Sequence, residues 1–292
     1  MSQLKATLVR KMPCLLGEGS IWHPSDERLW FVDIEGKRFF ILDPVTGAIR
    51  ETLTQHRVGT IVPSQNGHAI TAQEDGVYRH DLKSGEVSLL AAHEGANDQI
   101  RFNDGKCDPS GRLWVGSMHL EAIPEKGALY CLTDNELKKV ISGVTISNGL
   151  CWSLDHKTMY YIDSPRQKVV AFDFDNDLAE ITNERVVVSV DKALGTPDGM
   201  TIDEEGKLWV ALWGGAAVGR WDPVTGELLQ RVVVPALNVT SCAFGGSDWA
   251  TLYITSASID MTEEEHSKYP DAGSLFSVRP GVSGVPAYLF QD

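Results

Sequence analysis

"FNDGKCDPSGRLWVGSMH" runs from Phe102 to His119. It joins two polar residues, Asn103 and Asp104, to a tight-turn signature at Asp108–Gly111 and then to an apolar strand bearing Trp114. Asp, Pro, Ser and Gly supply the turn and the aliphatic run suits a strand, so the stretch reads as a β-hairpin with polar groups at its mouth. The pattern returns along the chain. "RLWFVD" begins at Arg28, "HAITAQ" at His68, "RLWVGS" at Arg112, "TMYYID" at Thr158, "KLWVAL" at Lys207 and "TLYITS" at Thr251. Their third residues, Trp30, Ile70, Trp114, Tyr160, Trp209 and Tyr253, lie 40 to 49 residues apart.

A drifting period of that length, built from short strands and turns, is the mark of units stacked radially as propeller blades. Turn residues precede the strands in "SQNGH", "DPSGR" and "DEEGK", and "DPVTG" recurs at Asp43 and Asp222. No long helical periodicity interrupts them. The expected fold is all-β: a six-bladed β-propeller with four-stranded antiparallel blades around a central channel. Residues 1–292 are expected to form a single domain, with a segment at about 3–17 adding the strand that closes the last blade. One aromatic per blade at the same place suits packing between blades better than a stacking platform for substrate.

Composition bounds the partners. The chain has 292 residues, 42% hydrophobic and 23% charged, and a net charge of −14. That balance argues against nucleic acid, which needs clustered Lys and Arg, and against an anionic membrane surface. The first residues lack the apolar run of a signal peptide, and no stretch approaches the ~20 apolar residues of a membrane span, so a cytoplasmic location is expected. Five cysteines without CxxC spacing suggest neither a disulfide framework nor a thiolate zinc site. A monomer or a small homo-oligomer is expected.

The innermost strand of each blade lines the channel. Aligning the repeats on the Gly that opens this strand gives Glu18-Gly19, Asp104-Gly105, Asn148-Gly149 and Asp198-Gly199, whereas the blades starting at Val58 and Val239 carry no acid there. A purely structural device would recur in all six blades. Carboxylates gathered in a channel repel one another and lose hydration, and a bound cation offsets that cost. Oxygen donors from Asp, Glu and Asn favour Ca²⁺, Mg²⁺ or Mn²⁺, with Zn²⁺ also able to accept carboxylates. The alternative is that each Asn or Asp caps a turn before its Gly.

Five segments carry a resemblance: "LGEGSIW" (16–22), "RFNDGKCDPSGR" (101–112), "ISNGLCWSLDHK" with "YYIDS" (146–164), "PDGMTIDEEGKLWVA" (197–211) and "TSCAFGG" (240–246). They resemble the gluconolactonase and regucalcin family across essentially the whole chain. The resemblance implies a six-bladed propeller holding one divalent metal in its channel and hydrolysing a sugar-acid lactone to the aldonic acid. It implies Glu18, Asn148 and Asp198 as metal ligands, and Arg101, Asn103 and Glu121 as substrate contacts. It favours Asn103 over Asp104 as the residue facing the site; neighbours on a strand point to opposite faces. The loop at 117–126 is shorter than in the animal members of the family, and His119 in it could face either substrate or solvent.

Lactone hydrolysis needs a polarised carbonyl, a deprotonated water and a stabilised oxyanion, and a divalent ion with open positions supplies the first and last. Asp198 is the candidate general base. Arg101 would orient hydroxyls or the developing carboxylate, and Asn103 would fix a hydroxyl or a water. No GxSxG, HExxH or Walker loop competes, and the Gly-rich "WGGAAVG" at 213–219 has no helix after it. Two other classes fit the same fold: a propeller hydrolase acting on phosphotriesters or aryl esters, and a non-enzymatic calcium-binding propeller.

Overall fold

The computed structural model describes residues 4–292. They form six sheets that follow one another along the chain. The first blade runs outward as Gly17–His23, Arg28–Asp33, Arg38–Leu42 and Ile49–Leu53. The others begin at the inner strands Val58–Pro63, Ile100–Cys107, Ser147–Trp152, Thr196–Ile202 and Asn238–Gly245. This is the six-bladed propeller of four-stranded antiparallel blades that the repeats predict. In the sixth blade Thr7–Arg10 is the outermost strand, pairing antiparallel with Leu275–Val278. Just before it, Leu4–Lys5 runs parallel to Leu228–Val233 at the edge of the fifth sheet, an addition without a signal in the sequence.

The repeat turns do more than reverse the chain. Asp108 is fully buried; its Oδ1 accepts from the Ser110 and Arg112 N–H groups, and its Oδ2 accepts from Arg112 Nε at 2.6 Å and Trp114 Nε1 at 2.9 Å. Asp203 repeats the arrangement with Glu205, Lys207 and Trp209, adding Arg220 Nε at 2.7 Å. One carboxylate therefore locks the turn with one oxygen and anchors the blade's Trp with the other. The rings at this position meet the next blade as expected for packing residues: Trp114 lies edge-on to Trp152, Trp209 to Phe244, and Tyr253 stacks on Trp22. Close aromatic contacts of this kind add to the apolar burial that holds neighbouring blades together.

Each inner strand bulges where it meets the second strand, between Glu18 and Ile21 in the first blade and between Pro197 and Met200 in the fifth, for example. A bulge leaves residues outside the ladder and re-aims their side chains. Counting back three positions from the residue paired with Trp30, Trp114, Tyr160 or Trp209 lands on Glu18, Asn103, Asn148 or Asp198 respectively. Asp104 falls one position later. The Gly-based alignment is therefore off by one in the third blade, because its Gly stands at a different place in the strand. The glycines there mark close approach of backbones: a Cβ at Gly149 would lie 2.6 Å from the Asp198 carbonyl oxygen, and one at Gly199 2.8 Å from that of Thr240.

Helix is scarce. Glu263–Lys268 forms one turn-and-a-half with a capping box between Thr262 and Glu265. The "WGGAAVG" run makes a blade turn, connecting Leu208–Trp213 to Ala217–Trp221. Residues 283–291 cross the face of the ring opposite the bulges' leading ends, bonding to Glu204, Trp249, Pro63, Gln65 and Gly111. No described helix is long and apolar enough to cross a membrane.

Candidate metal and substrate site

Three inner-strand side chains at the same register, Glu18, Asn148 and Asp198, line one cavity of about 540 Å³ together with Arg101 and Asn103. All five are 4–7% exposed. Their amide orientations follow from a continuous chain of hydrogen bonds. Arg101 Nη1 donates to Asn103 Oδ1 at 2.5 Å, and Asn103 Nδ2 donates to Asn148 Oδ1 at 3.0 Å and to the Ser147 carbonyl at 2.7 Å. Asn148 Nδ2 donates to Ser164 Oγ, which donates on to the Pro197 carbonyl. The chain leaves the Asn148 carbonyl oxygen with one lone pair for a further partner.

The acidic side chains resist ionisation. Burial, and then the neighbouring Asp104, push the Glu18 carboxyl up to about 8. Burial, followed by the charges of Glu18 and Asp104, holds Asp198 well above the usual carboxylate range. Asp104 is itself raised by burial; its Oδ1 accepts from the Gly105 N–H and its Oδ2 has no partner. Among the described residues no three His, Cys, Asp or Glu side chains meet at metal-binding spacing. The set at the cavity is instead two carboxylates and one amide oxygen, all hard donors. Two raised carboxylates beside an oriented carbonyl fit a hard divalent cation, because such an ion removes the cost of ionising both.

The rest of the cavity comes from strand ends and the connections between them. Glu35, Ser164, Gln167, Trp213 and Asp260 line it, as do the apolar Leu16, Met118, Ile146 and Ile259. Leu16, Ile146 and Ser164 fall inside "LGEGSIW", "ISNGLCWSLDHK" and "YYIDS", whereas Glu35, Gln167, Asp260 and Ile259 had no sequence signal. In the loop after the third blade's second strand, Leu120 and Ala122 line the cavity while the exposed Glu121 does not. His119 faces neither open option considered from sequence. It is 6% exposed, its Nδ1 accepts from the Glu121 N–H and its Nε2 meets Gln99 Oε1 at 3.3 Å, so it props the loop from beneath.

With this geometry in place the relatives can be weighed. A profile described as SMP-30/Gluconolactonase/LRE-like region matches residues 16–258. The chain belongs to that family. It is 42% identical to regucalcin of Danio rerio over 295 residues, covering 99% of each chain. It is 38% identical over 288 residues to a Bacillus subtilis protein provisionally described as a sugar lactone lactonase, covering 98% of this chain and 99% of that one. Its fold matches a calcium-binding regucalcin of Agrobacterium tumefaciens with a TM-score of 0.95 at 26% identity, over 100% of both chains. Family and relatives together indicate gluconolactonase-type sugar lactonase activity.

Proposed function

We propose that the protein hydrolyses an uncharged sugar-acid lactone to its aldonic acid, with one divalent ion (Ca²⁺, Mn²⁺, Mg²⁺ or Zn²⁺) held by Glu18, Asn148 and Asp198. The carrying observation is the convergence of those three side chains with Arg101 and Asn103 in one buried cavity. The bound ion would supply Lewis acidity to the lactone carbonyl. Asp198 takes the proton of the attacking water and returns it to the ring oxygen as the acyl C–O bond breaks. Arg101, with one Nη committed to Asn103 and Phe102, keeps its other donors for substrate hydroxyls. Asn103 fixes Arg101 against Asn148, so it sets the distance between the substrate contacts and the metal end of the site.

The lining charges favour a neutral substrate. Glu18, Asp198 and Asp260 face Arg101, and Glu35 is paired with Arg57 at 2.9 Å, so a divalent ion would bring the lining to about neutral and leave no surplus positive charge for a phosphorylated lactone. The apolar wall that includes Trp213 and Ile259 also suits an aryl ester, which makes that the second reading. Proton release from a panel of aldonolactones, one phosphorylated lactone and phenyl acetate, with and without chelator, tests both. Chelator-sensitive turnover of the neutral lactones supports the proposal. Turnover of phenyl acetate alone would select the aryl esterase, and chelator-resistant lactone turnover would remove the metal from the account.

A further inference from the structure

The far end of the channel carries a second cavity of about 320 Å³ that shares no lining residue with the first. Five of the six inner strands contribute to it, and the segment Val285–Tyr288 forms one wall. Its walls are aromatic and aliphatic, with Trp22, Trp152 and Phe244 prominent. Lys106 is the one Lys, Arg, Asp or Glu side chain among the lining residues. The polar tip of Tyr288 is already engaged, its Oη lying 2.8 Å from His156 Nε2.

Lys106 stands three residues beyond Asn103 on the same strand, but it serves the other mouth. Its ammonium donates to the Met200 carbonyl and has no other hydrogen-bond partner among the described residues, which leaves two of three donors for a ligand. Asp104, two residues before it, does not bond to it: Asp104 Oδ1 takes the Gly105 N–H and Oδ2 is unpartnered. A cation with free donors at the base of an aromatic pocket selects an anion with an apolar body, because the body fills the walls while the head pairs with the charge. At the ~30 Å³ that one water occupies in the liquid, the cavity holds about ten non-hydrogen atoms.

We propose that this cavity is a binding site for a small aryl or short-chain alkyl monocarboxylate, its carboxylate on Lys106 and its apolar body against Trp22, Trp152 and Phe244. Phenylacetate and its neutral isostere phenylacetamide are the probes, titrated calorimetrically into the metal-loaded protein. Phenylacetate is expected to bind one to one and to be roughly tenfold or more tighter than phenylacetamide, the range that a charge-assisted hydrogen bond supports. Lys106→Met should remove that preference. Leu154→Glu, at a cavity-lining residue that is 46% exposed and so safe for folding, places a like charge at the mouth and should weaken phenylacetate by a similar factor. Lactone KM should be unchanged by saturating phenylacetate, since the two cavities are separate. Absence of saturable binding, equal affinity for the amide, indifference to Leu154→Glu, or competition with the lactone would each overturn the proposal.

Discussion

Asn103 shows how one amide can organise a site it does not chemically dominate. It accepts from Arg101 and donates to Asn148, so the substrate end and the metal end share a single hydrogen-bonded chain. Asn103→Ala should leave the propeller folded but weaken divalent-ion binding by about 10- to 100-fold, as loss of an outer partner of a metal ligand does; titration calorimetry reads this directly. Sequence picked this residue only through family resemblance. The Gly alignment selected Asp104, because Gly105 makes room for the Trp114 carbonyl and a Thr60 methyl whereas Gly149 and Gly199 make room for the next blade. Register is carried by the strand position paired with Trp30, Trp114, Tyr160 or Trp209, and glycine marks only where two backbones crowd. The raised carboxylates give a pH prediction. In metal-free protein the folded state favours protonated Glu18, so this carboxyl's contribution to stability is fully present below the ordinary carboxylate range and is lost as pH rises from about 5 through about 8. Melting curves in chelator should fall over that window, and saturating metal should abolish the fall because it favours the ionised form.

At the scale of the element, the turn-and-Trp clamp was half legible. "DPSGR" and "DEEGK" announced turns correctly, yet the sequence gives no hint that the same Asp also holds the Trp indole and, in the fifth blade, an Arg from the third strand. Those partners become neighbours only when the strands pair. Asp108→Ala strips acceptors from the half-buried Arg112 and the buried Trp114 and should destabilise the protein by about 3–5 kcal/mol, measured by urea unfolding. The loop after the third blade's second strand was the least legible element. Its acid and its His looked like the functional residues, but Leu120 and Ala122 reach the cavity while His119 supports the turn. His119→Ala should therefore raise lactone KM with little change in metal affinity, as initial rates and calorimetry would show.

The whole molecule was legible as a ring because six hairpins, three of them with a Trp at the shared position, recur 40 to 49 residues apart. What closes the ring was legible only as a segment to spare, since a strand of four residues has no repeat to mark it. Thr7–Arg10 completes the sixth blade beside Leu275–Val278, and Leu4–Lys5 extends the fifth, so the segment ties two blades at their outer edges. Deleting residues 1–10 should expose an unpaired edge on the sixth blade and lower the melting temperature sharply, with aggregation on heating. The ring in turn fixes the site: Glu18, Asn148 and Asp198, from the first, fourth and fifth blades, line one cavity only if all six blades close. The central claim is that one divalent ion on Glu18, Asn148 and Asp198 serves lactone hydrolysis while Arg101 binds the substrate. Its most direct test is metal content and lactone turnover measured on the same folded preparations of Asp198→Ala and Arg101→Ala. The account predicts loss of both metal and activity in Asp198→Ala, and full metal with turnover reduced about 100-fold or more in Arg101→Ala. Stoichiometric metal in folded Asp198→Ala, or metal loss in Arg101→Ala, would contradict it.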